Sequence, residues 1–402
     1  MGLRVKMATD VSDFSAKYSR KAEGNGVAST LIVPGSITLT LHGVRLSEES
    51  EPADVTTTFE KVPYDIRYGT NPHQPCGVYK PKGRYTHVGD MIIHQLGKGG
   101  FSLTNLQDIS QAVNTLKYMT ESSCVILKHI VPCGFYAEAT EVVTGTPQSL
   151  FENAYACDER SAFGGTLVFN REVDAPTAAK IMGVFLENVV ATSYTPAAIQ
   201  ILTSTAGTKK MNNGLRVVTI PEMTNLPKFW GDNVLDYLTL RSLPTGELAV
   251  EVPYLTGVQS VADIITDPEV DGVCAKNAPT PQQLSDALHA WYVVMNVRSN
   301  GVVIFKDGKA IGIGTGQQDR VGAVELAVEK AKRYKHNLEG AVLASDAFFP
   351  KPDAIQYAAK AGISAIIWPA GSKSDRAIIE EANRLSLAMM VPKTGERCFL
   401  HT

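Results

Sequence analysis

Short apolar runs alternate with longer amphipathic segments through most of this chain, and no other feature restricts its fold as strongly. CVIL (124–127), GGTLVFN (164–170), VVIF (302–305), AVLAS (341–345), SAIIW (364–368) and LAMMV (387–391) read as short strands. LQDISQAVNTLKYM (106–119), PQSLFENAYACD (147–158), APTAAKIMGVFLENVV (175–190), the stretch over roughly 320–335 and SDRAIIEEANRL (374–385) read as helices. Apolar strands joined by helices place helices against the faces of a sheet. The expected class is therefore α/β with a mostly parallel sheet.

The alternation comes in two blocks, 61–225 and 280–402, separated by an irregular, turn-rich segment at 226–279. A chain of 402 residues is long for one domain, so two units of similar size are the natural division. Residues 1–60 form an N-terminal extension that closes on the acidic, Pro-containing connector SEESEPAD (47–54). In the second block Thr280 suits a helix cap, Pro281 the first helical position and Gln283 a bond back to the cap. Leu284, Leu288, Trp291 and Met295 then line one helical face. VVIF and AIGIG flank Lys306-Asp307-Gly308-Lys309 as a hairpin with a tight turn. No short repeat is visible.

Charge and cysteine usage narrow the function. With 38 basic and 41 acidic side chains the formal net charge is −3, and no Lys/Arg-rich block occurs, so nucleic acid is not an expected partner. Cys76, Cys124, Cys133, Cys157, Cys274 and Cys398 are scattered without a CxxC pair, which suggests neither a disulfide framework nor a Cys-rich zinc site. The start MGLRVKMATD lacks a secretory pattern, and no apolar run approaches the roughly 20 residues of a spanning helix. A soluble, cytoplasmic protein with no membrane partner is the expectation.

Several polar stretches carry chemistry. LKHIVPCG (127–134) follows the CVIL strand, with Pro132 and Gly134 read as its stop. Lys128 could stabilise an oxyanion and His129 accept a proton, or the pair could simply mark a strand end facing water. RYGTNPHQ (67–74) is either an anion clamp or a surface turn. SAFGG (161–165) and GIGTGQQDR (312–320) allow close approach of backbone to a ligand or make tight turns. Neither matches a phosphate loop or a dinucleotide fingerprint. SDAFFP (345–350) sets aromatic rings at a strand's C-terminal end, where open α/β sheets bind ligands, or packs them in the core. No HxE triplet accompanies Pro132-Cys133, so no metal site is expected.

RYGTNPHQ, LKHIVPCG, SAFGG, RSNGVVIFKDGKAIGIGTGQQDR, SDAFFP and the closing TGERCFLH stand in one order. Together, from about residue 60 to 402, they resemble the transformylase half of the bifunctional purine-biosynthesis enzymes that formylate AICAR and close the product to IMP. The resemblance implies two tandem cytidine-deaminase-like α/β/α units and formyl transfer from 10-formyltetrahydrofolate. It further implies a homodimer with active sites at the interface, and leaves a monovalent cation such as potassium open. It places the chemistry on Lys128 and His129, and substrate binding on Arg67, Tyr68, Gly164, Glu187, Asn300, Arg320, Phe348, Arg397 and His401. The folate side falls on Asp353, with Phe349 and Pro350. Lys351-Pro352 and Ala354 depart from the family pattern there.

Overall fold

The computed structural model describes residues 35–44, 51–71, 74, 76–97, 99–138, 145–204 and 214–401. Pro72 and His73 of RYGTNPHQ, residues 1–34 and the first half of SEESEPAD lie outside them.

The first strands are β1 (Ser36–Val44), β2 (Ala53–Lys61), β3 (Tyr79–Pro81) and β4 (Ile92–Gln95). The first block then gives α1 (Leu103–Leu116), β5 (Ser123–Lys128), β6 (Val131–Ala137), α2 (Pro147–Tyr155), the short α3 (Glu159–Ala162) and β7 (Gly165–Phe169). It continues with β8 (Glu172–Val173), α4 (Ala175–Ile181), β9 (Leu186–Ala191), β10 (Ser193–Tyr194), α5 (Pro196–Thr203) and β11 (Arg216–Thr219). Five short strands fill the connecting segment: β12 (Thr239–Ser242), β13 (Leu248–Glu251), β14 (Ile264–Ile265), β15 (Glu269–Val270) and β16 (Val273–Cys274). The second block is α6 (Pro281–Val294), β17 (Val302–Lys306), β18 (Lys309–Gly314), α7 (Arg320–Arg333), β19 (Val342–Ser345), α8 (Asp353–Ala361), β20 (Ala365–Ile367), α9 (Asp375–Arg384) and β21 (Ala388–Pro392).

Both blocks share one sheet, ordered β14-β21-β20-β19-β17-β18-β6-β5-β7-β9-β11-β4. In the first half β5 and β6 form a hairpin, β7 runs antiparallel to β5, and β9 and β11 follow parallel to β7. The second half repeats this plan with the β17–β18 hairpin, antiparallel β19, then parallel β20 and β21. The halves meet through antiparallel β6 and β18, at Tyr136 and Lys309.

Alternation along the strands divides the core into layers, because successive side chains point to opposite faces. Val125, Leu127, Val303, Phe305, Val342 and Ala344 pack under α1 and α6 in one continuous core. Cys124, Ile126, Leu167 and Phe169 face a separate core with α2, α4 and α5. Val302, Ile304, Leu343 and Met389 face a third core, with α7, α8 and α9. Helices thus cover both faces, which explains why these strands are apolar throughout rather than alternating.

Four sequence expectations change. The sheet is mixed rather than mostly parallel: of its eleven strand pairings four are parallel, β7–β9, β9–β11, β19–β20 and β20–β21, because each half begins with an antiparallel hairpin and the halves join antiparallel. APTAAKIMGVFLENVV is not one helix: α4 ends at Ile181 and LENVVA becomes β9, parallel to both β7 and β11. Pro132 does not stop a strand; it lies inside β6 opposite Leu127, beside a register irregularity where a missing N–H is tolerated. A repeat does exist. CVILKHIVPCG (124–134) and VVIFKDGKAIG (302–312) occupy equivalent hairpins, with Lys128 matching Lys306 and Gly134 matching Gly312. Each glycine faces a helix so closely that a Cβ would meet a carbonyl oxygen, Ala154 O at 2.1 Å and Ala327 O at 2.4 Å.

Candidate functional site

Strand directions decide which loops share a rim of the sheet. The β5–β6 turn lies beside the start of β7, since Leu127 pairs with Thr166. The starts of β9 and β11 lie at the same rim. Crossing the antiparallel β6–β18 seam, the end of β18 and the start of β17 fall on that rim, and so do the ends of β19, β20 and β21. The rim therefore carries Lys128, His129, Gly164 and Glu187 from the first half. From the second come Asn300, Arg320, Phe348 and Arg397.

His129 and Ile130 are the two central residues of the β5–β6 turn, with φ of 56° and 70°. Two positive φ values mark the turn that suits a two-residue hairpin; His tolerates that conformation better than most residues, whereas β-branched Ile resists it. The turn is held from α1. Ile130 N–H donates to Asp108 Oδ1 at 2.6 Å, and the His129 amide adds a further bond to this carboxylate. His129 itself is exposed. Lys128 Nζ donates to the Phe163 carbonyl at 2.6 Å. Next to Phe163, Gly164 has φ 73° and donates its N–H to Phe185 O at 2.8 Å. A Cβ there would stand 3.3 Å from the Phe185 ring and 3.9 Å from Lys128 Nζ.

Glu187, the second residue of β9, accepts from Asn105 Nδ2 at 2.8 Å, while the buried Arg216 at the start of β11 lies 4.0 Å from its carboxylate. Burial holds the Arg216 guanidinium below its usual value, and Glu187 opposes that. Arg216 Nε also donates to Gly100 O at 2.8 Å. Arg67 and Tyr68 are pinned beside this group by Arg67 N–H to Phe101 O (2.7 Å) and Leu103 N–H to Tyr68 O (3.0 Å). The Arg67 guanidinium lies 4.8 Å over the Tyr68 ring. Asp108 is 6% exposed, and burial pushes its carboxyl up to about 6 against the turn amides and nearby His129.

The second-half cluster is a buried charge network. Arg320, the first residue of α7, donates to Asp346 and to Asn300 Oδ1 (2.7 Å). Asp346 also accepts from Gly301 N–H at 2.9 Å, and Asn300 Nδ2 donates to Gln317 O at 2.9 Å. Such a pair is tolerable because each buried charge is met by its opposite and by further hydrogen bonds.

The closing TGERCFLH segment is a strap, not a loose end. Glu396 accepts from Thr256 Oγ1 and from Gly257 N–H at 2.9 Å, and Cys398 N–H donates to Asp346 O at 3.0 Å. Ser299 N–H meets Leu400 O at 2.9 Å. With Glu396 and Cys398 thus engaged, Arg397 turns outward and stacks 4.6 Å over Phe348. His401 stacks on Phe399 at 5.6 Å, and its carbonyl accepts from Arg241 at 2.9 Å. Phe349 is fully buried in the α7–α9 core, so its ring offers no face to a ligand. Pro350 and Asp353 are exposed around the start of α8, and Ala354 is buried.

Asn105, Asp108, Arg216 and Asp346 were not among the residues expected at this rim. The sequence did hold a signal for three of them. Asn105 and Asp108 are polar positions on the buried side of α1, among Leu106, Ile109, Ala112 and Val113. Arg216 is a lone charge in the apolar run LRVVTI (215–220). Among the described residues no group of three or more His, Cys, Asp or Glu side chains could hold a metal ion, and no helix is long and apolar enough to cross a membrane.

The family model described as the AICARFT/IMPCHase bienzyme matches residues 36–330. A bifunctional purine biosynthesis protein PurH of Oceanobacillus iheyensis is 37% identical over 360 residues, covering 88% of this chain and 62% of that protein. PurH of Persephonella marina is 37% identical over 354 residues, with the same shares. PurH of Leuconostoc mesenteroides is 35% identical over 360 residues, covering 89% of this chain and 63% of its own. The chain thus spans less than two thirds of the length of these relatives.

Proposed function

This chain belongs to the AICARFT/IMPCHase bienzyme family, and from that membership we propose that it moves a formyl group from 10-formyltetrahydrofolate to the 5-amino group of AICAR in purine biosynthesis. The observation that carries this reading is the single rim on which the Lys128–His129 turn and the Asn300–Arg320–Asp346 network both stand.

The acceptor amine is a weak nucleophile, because its lone pair is delocalised into the imidazole and carboxamide. As its nitrogen attacks the formyl carbon, His129 takes the proton that the nitrogen must lose. Lys128, with one ammonium N–H committed to Phe163 O, has two left for the developing oxyanion. Collapse of the tetrahedral adduct breaks the bond to N10 of the folate, which leaves with a proton. Glu187, Arg67, Tyr68 and Gly164 frame the nucleotide, while Asn300 and Arg320 orient the carboxamide. Phe348 and Arg397 present a flat, cationic surface, with Asp353 and Pro350 on the folate side and His401 at its margin. Phe349 is left out of the folate contacts because it is wholly buried.

A cytoplasmic homodimer of paired deaminase-like units is the proposed form. Exposed apolar side chains at Ile37, Leu240, Leu248, Val250 and Val252 give it material for self-association. Light scattering reads the mass directly, and a monomer with full turnover removes that part.

The purified chain, supplied with AICAR and 10-formyltetrahydrofolate, should form formyl-AICAR and tetrahydrofolate. Binding of AICAR without turnover would make the chain a ribotide sensor instead, and turnover only with another formyl donor would move the departures Lys351-Pro352 and Ala354 to the centre.

A further inference from the structure

The geometry points to Asp108 as a positioning residue: by holding the backbone of the His129–Ile130 turn, its carboxylate sets where the His129 imidazole stands on the rim. This rests on the reading of His129 as proton acceptor.

The turn needs an external hold. Both central residues have positive φ, yet neither is the Gly or Asn that adopts such a conformation readily. The equivalent turn of the second half is Asp307-Gly308, with φ of 50° and 79°, a pair well suited to the shape. Asp286 stands in α6 where Asp108 stands in α1, and it accepts from Asp307 N–H at 2.9 Å and Gly308 N–H at 3.1 Å. Helix and hairpin are therefore tied by the same carboxylate in both halves. Only in the first half does the tie hold a reluctant residue, Ile130, next to one that carries chemistry, His129. Asn105, one helical turn before Asp108, bonds Glu187, so α1 fixes the base and a proposed nucleotide contact from one rigid element. The charged groups facing Asp108 are His129 and Glu187.

The test compares Asp108→Asn with Asp286→Asn in the full chain, reading kcat, the KM for AICAR and the thermal midpoint together. Asn keeps the shape and one acceptor oxygen but loses the charge. A displaced base costs turnover far more than binding, so D108N should lower kcat by about ten- to a hundredfold while the KM moves less than about twofold. D286N should keep kcat within about twofold of the native chain even where its midpoint falls. Adding Ile130→Gly to D108N, which lets the turn form on its own preference, should recover part of the lost kcat.

Native kcat in D108N overturns the proposal. So does a parallel loss in both variants, or a D108N chain that fails to fold, since each makes the tie structural only. If the native chain itself transfers no formyl group, it is the functional reading that fails, and the two failures are distinguishable.

Discussion

The two halves of this molecule are built alike, and the proposed function uses them differently. Each has an N-capped helix with a buried aspartate, Asp108 or Asp286, that grips a two-residue hairpin turn. Each hairpin has a lysine before the turn that donates to a backbone carbonyl, Lys128 to Phe163 O and Lys306 to Glu339 O. Each also closes the start of its first strand with a side chain from beyond the third. Asn170 accepts from Ser123 N–H at 2.8 Å, and Asp346 accepts from Gly301 N–H at 2.9 Å. Because the halves join antiparallel, the turn of one shares a rim with the open end of the other. On the proposed active rim the first half supplies Lys128-His129 and the second supplies the Asp346–Arg320 pair. The opposite rim has the same parts with Asp307-Gly308 and the neutral Asn170. One plan thus yields two rims, and in the proposed function a few substitutions within it separate chemistry from support.

The largest expected difference between the rims is in turnover. Removing the proposed proton acceptor with His129→Ala should cut kcat by about 10²–10⁴-fold, the usual worth of general base catalysis. Asp307→Ala, at the matching turn, should leave kcat near native in the same assay. Equal losses would break the comparison.

Stability separates the open ends. Asp346→Asn leaves the buried Arg320 without its anion and should cost about 3–5 kcal/mol by denaturant unfolding. Asn170→Ala removes only neutral hydrogen bonds and should cost about 1–3 kcal/mol.

A smaller effect comes from pH. The folded chain holds the Asp108 proton up to about 6, above the unfolded value of 3.8. It therefore binds that proton more tightly than the unfolded chain does. This group's contribution to stability is greatest below about pH 4 and is lost as pH rises through about 6, by no more than about 3 kcal/mol. The stability difference between the native chain and D108N should trace that slope in unfolding titrations, and a flat difference would contradict it. Smallest of all, Ile130→Gly relieves a positive φ and should raise stability by about 1 kcal/mol. Gly308→Ala should lower it, because a Cβ would meet Ala137 O at 2.3 Å.

The sequence made the strands legible because a sheet covered on both faces requires unbroken apolar runs. The Thr280 cap and the Asp307-Gly308 turn were legible for a local reason, since their chemistry is complete within a few residues. Residues acting across long separations were not. Asp346 reaches Arg320 and Gly301 only after β17 and β19 pair, so nothing near SDAFFP announces that bond. APTAAKIMGVFLENVV hid a helix-to-strand switch because parallel pairing with β7 and β11, not local propensity, makes Leu186–Ala191 extended. The repeat is faint in the sequence because its halves share mainly hydrophobic class, with Lys128/Lys306, Gly134/Gly312 and Asp108/Asp286 as fixed points. The site residues are legible mainly through motifs standing in order, whereas DAIQYAAKA, which forms α8, is not among the segments that read as helices.

Single-turnover formyl transfer tests the account most directly, with the chain in excess over AICAR and 10-formyltetrahydrofolate saturating. The native chain should convert the bound nucleotide fully, whereas His129→Ala should still bind AICAR but slow that step by about 10²-fold or more. A native chain that holds AICAR and forms no product, or a His129→Ala chain as fast as the native one, would contradict it.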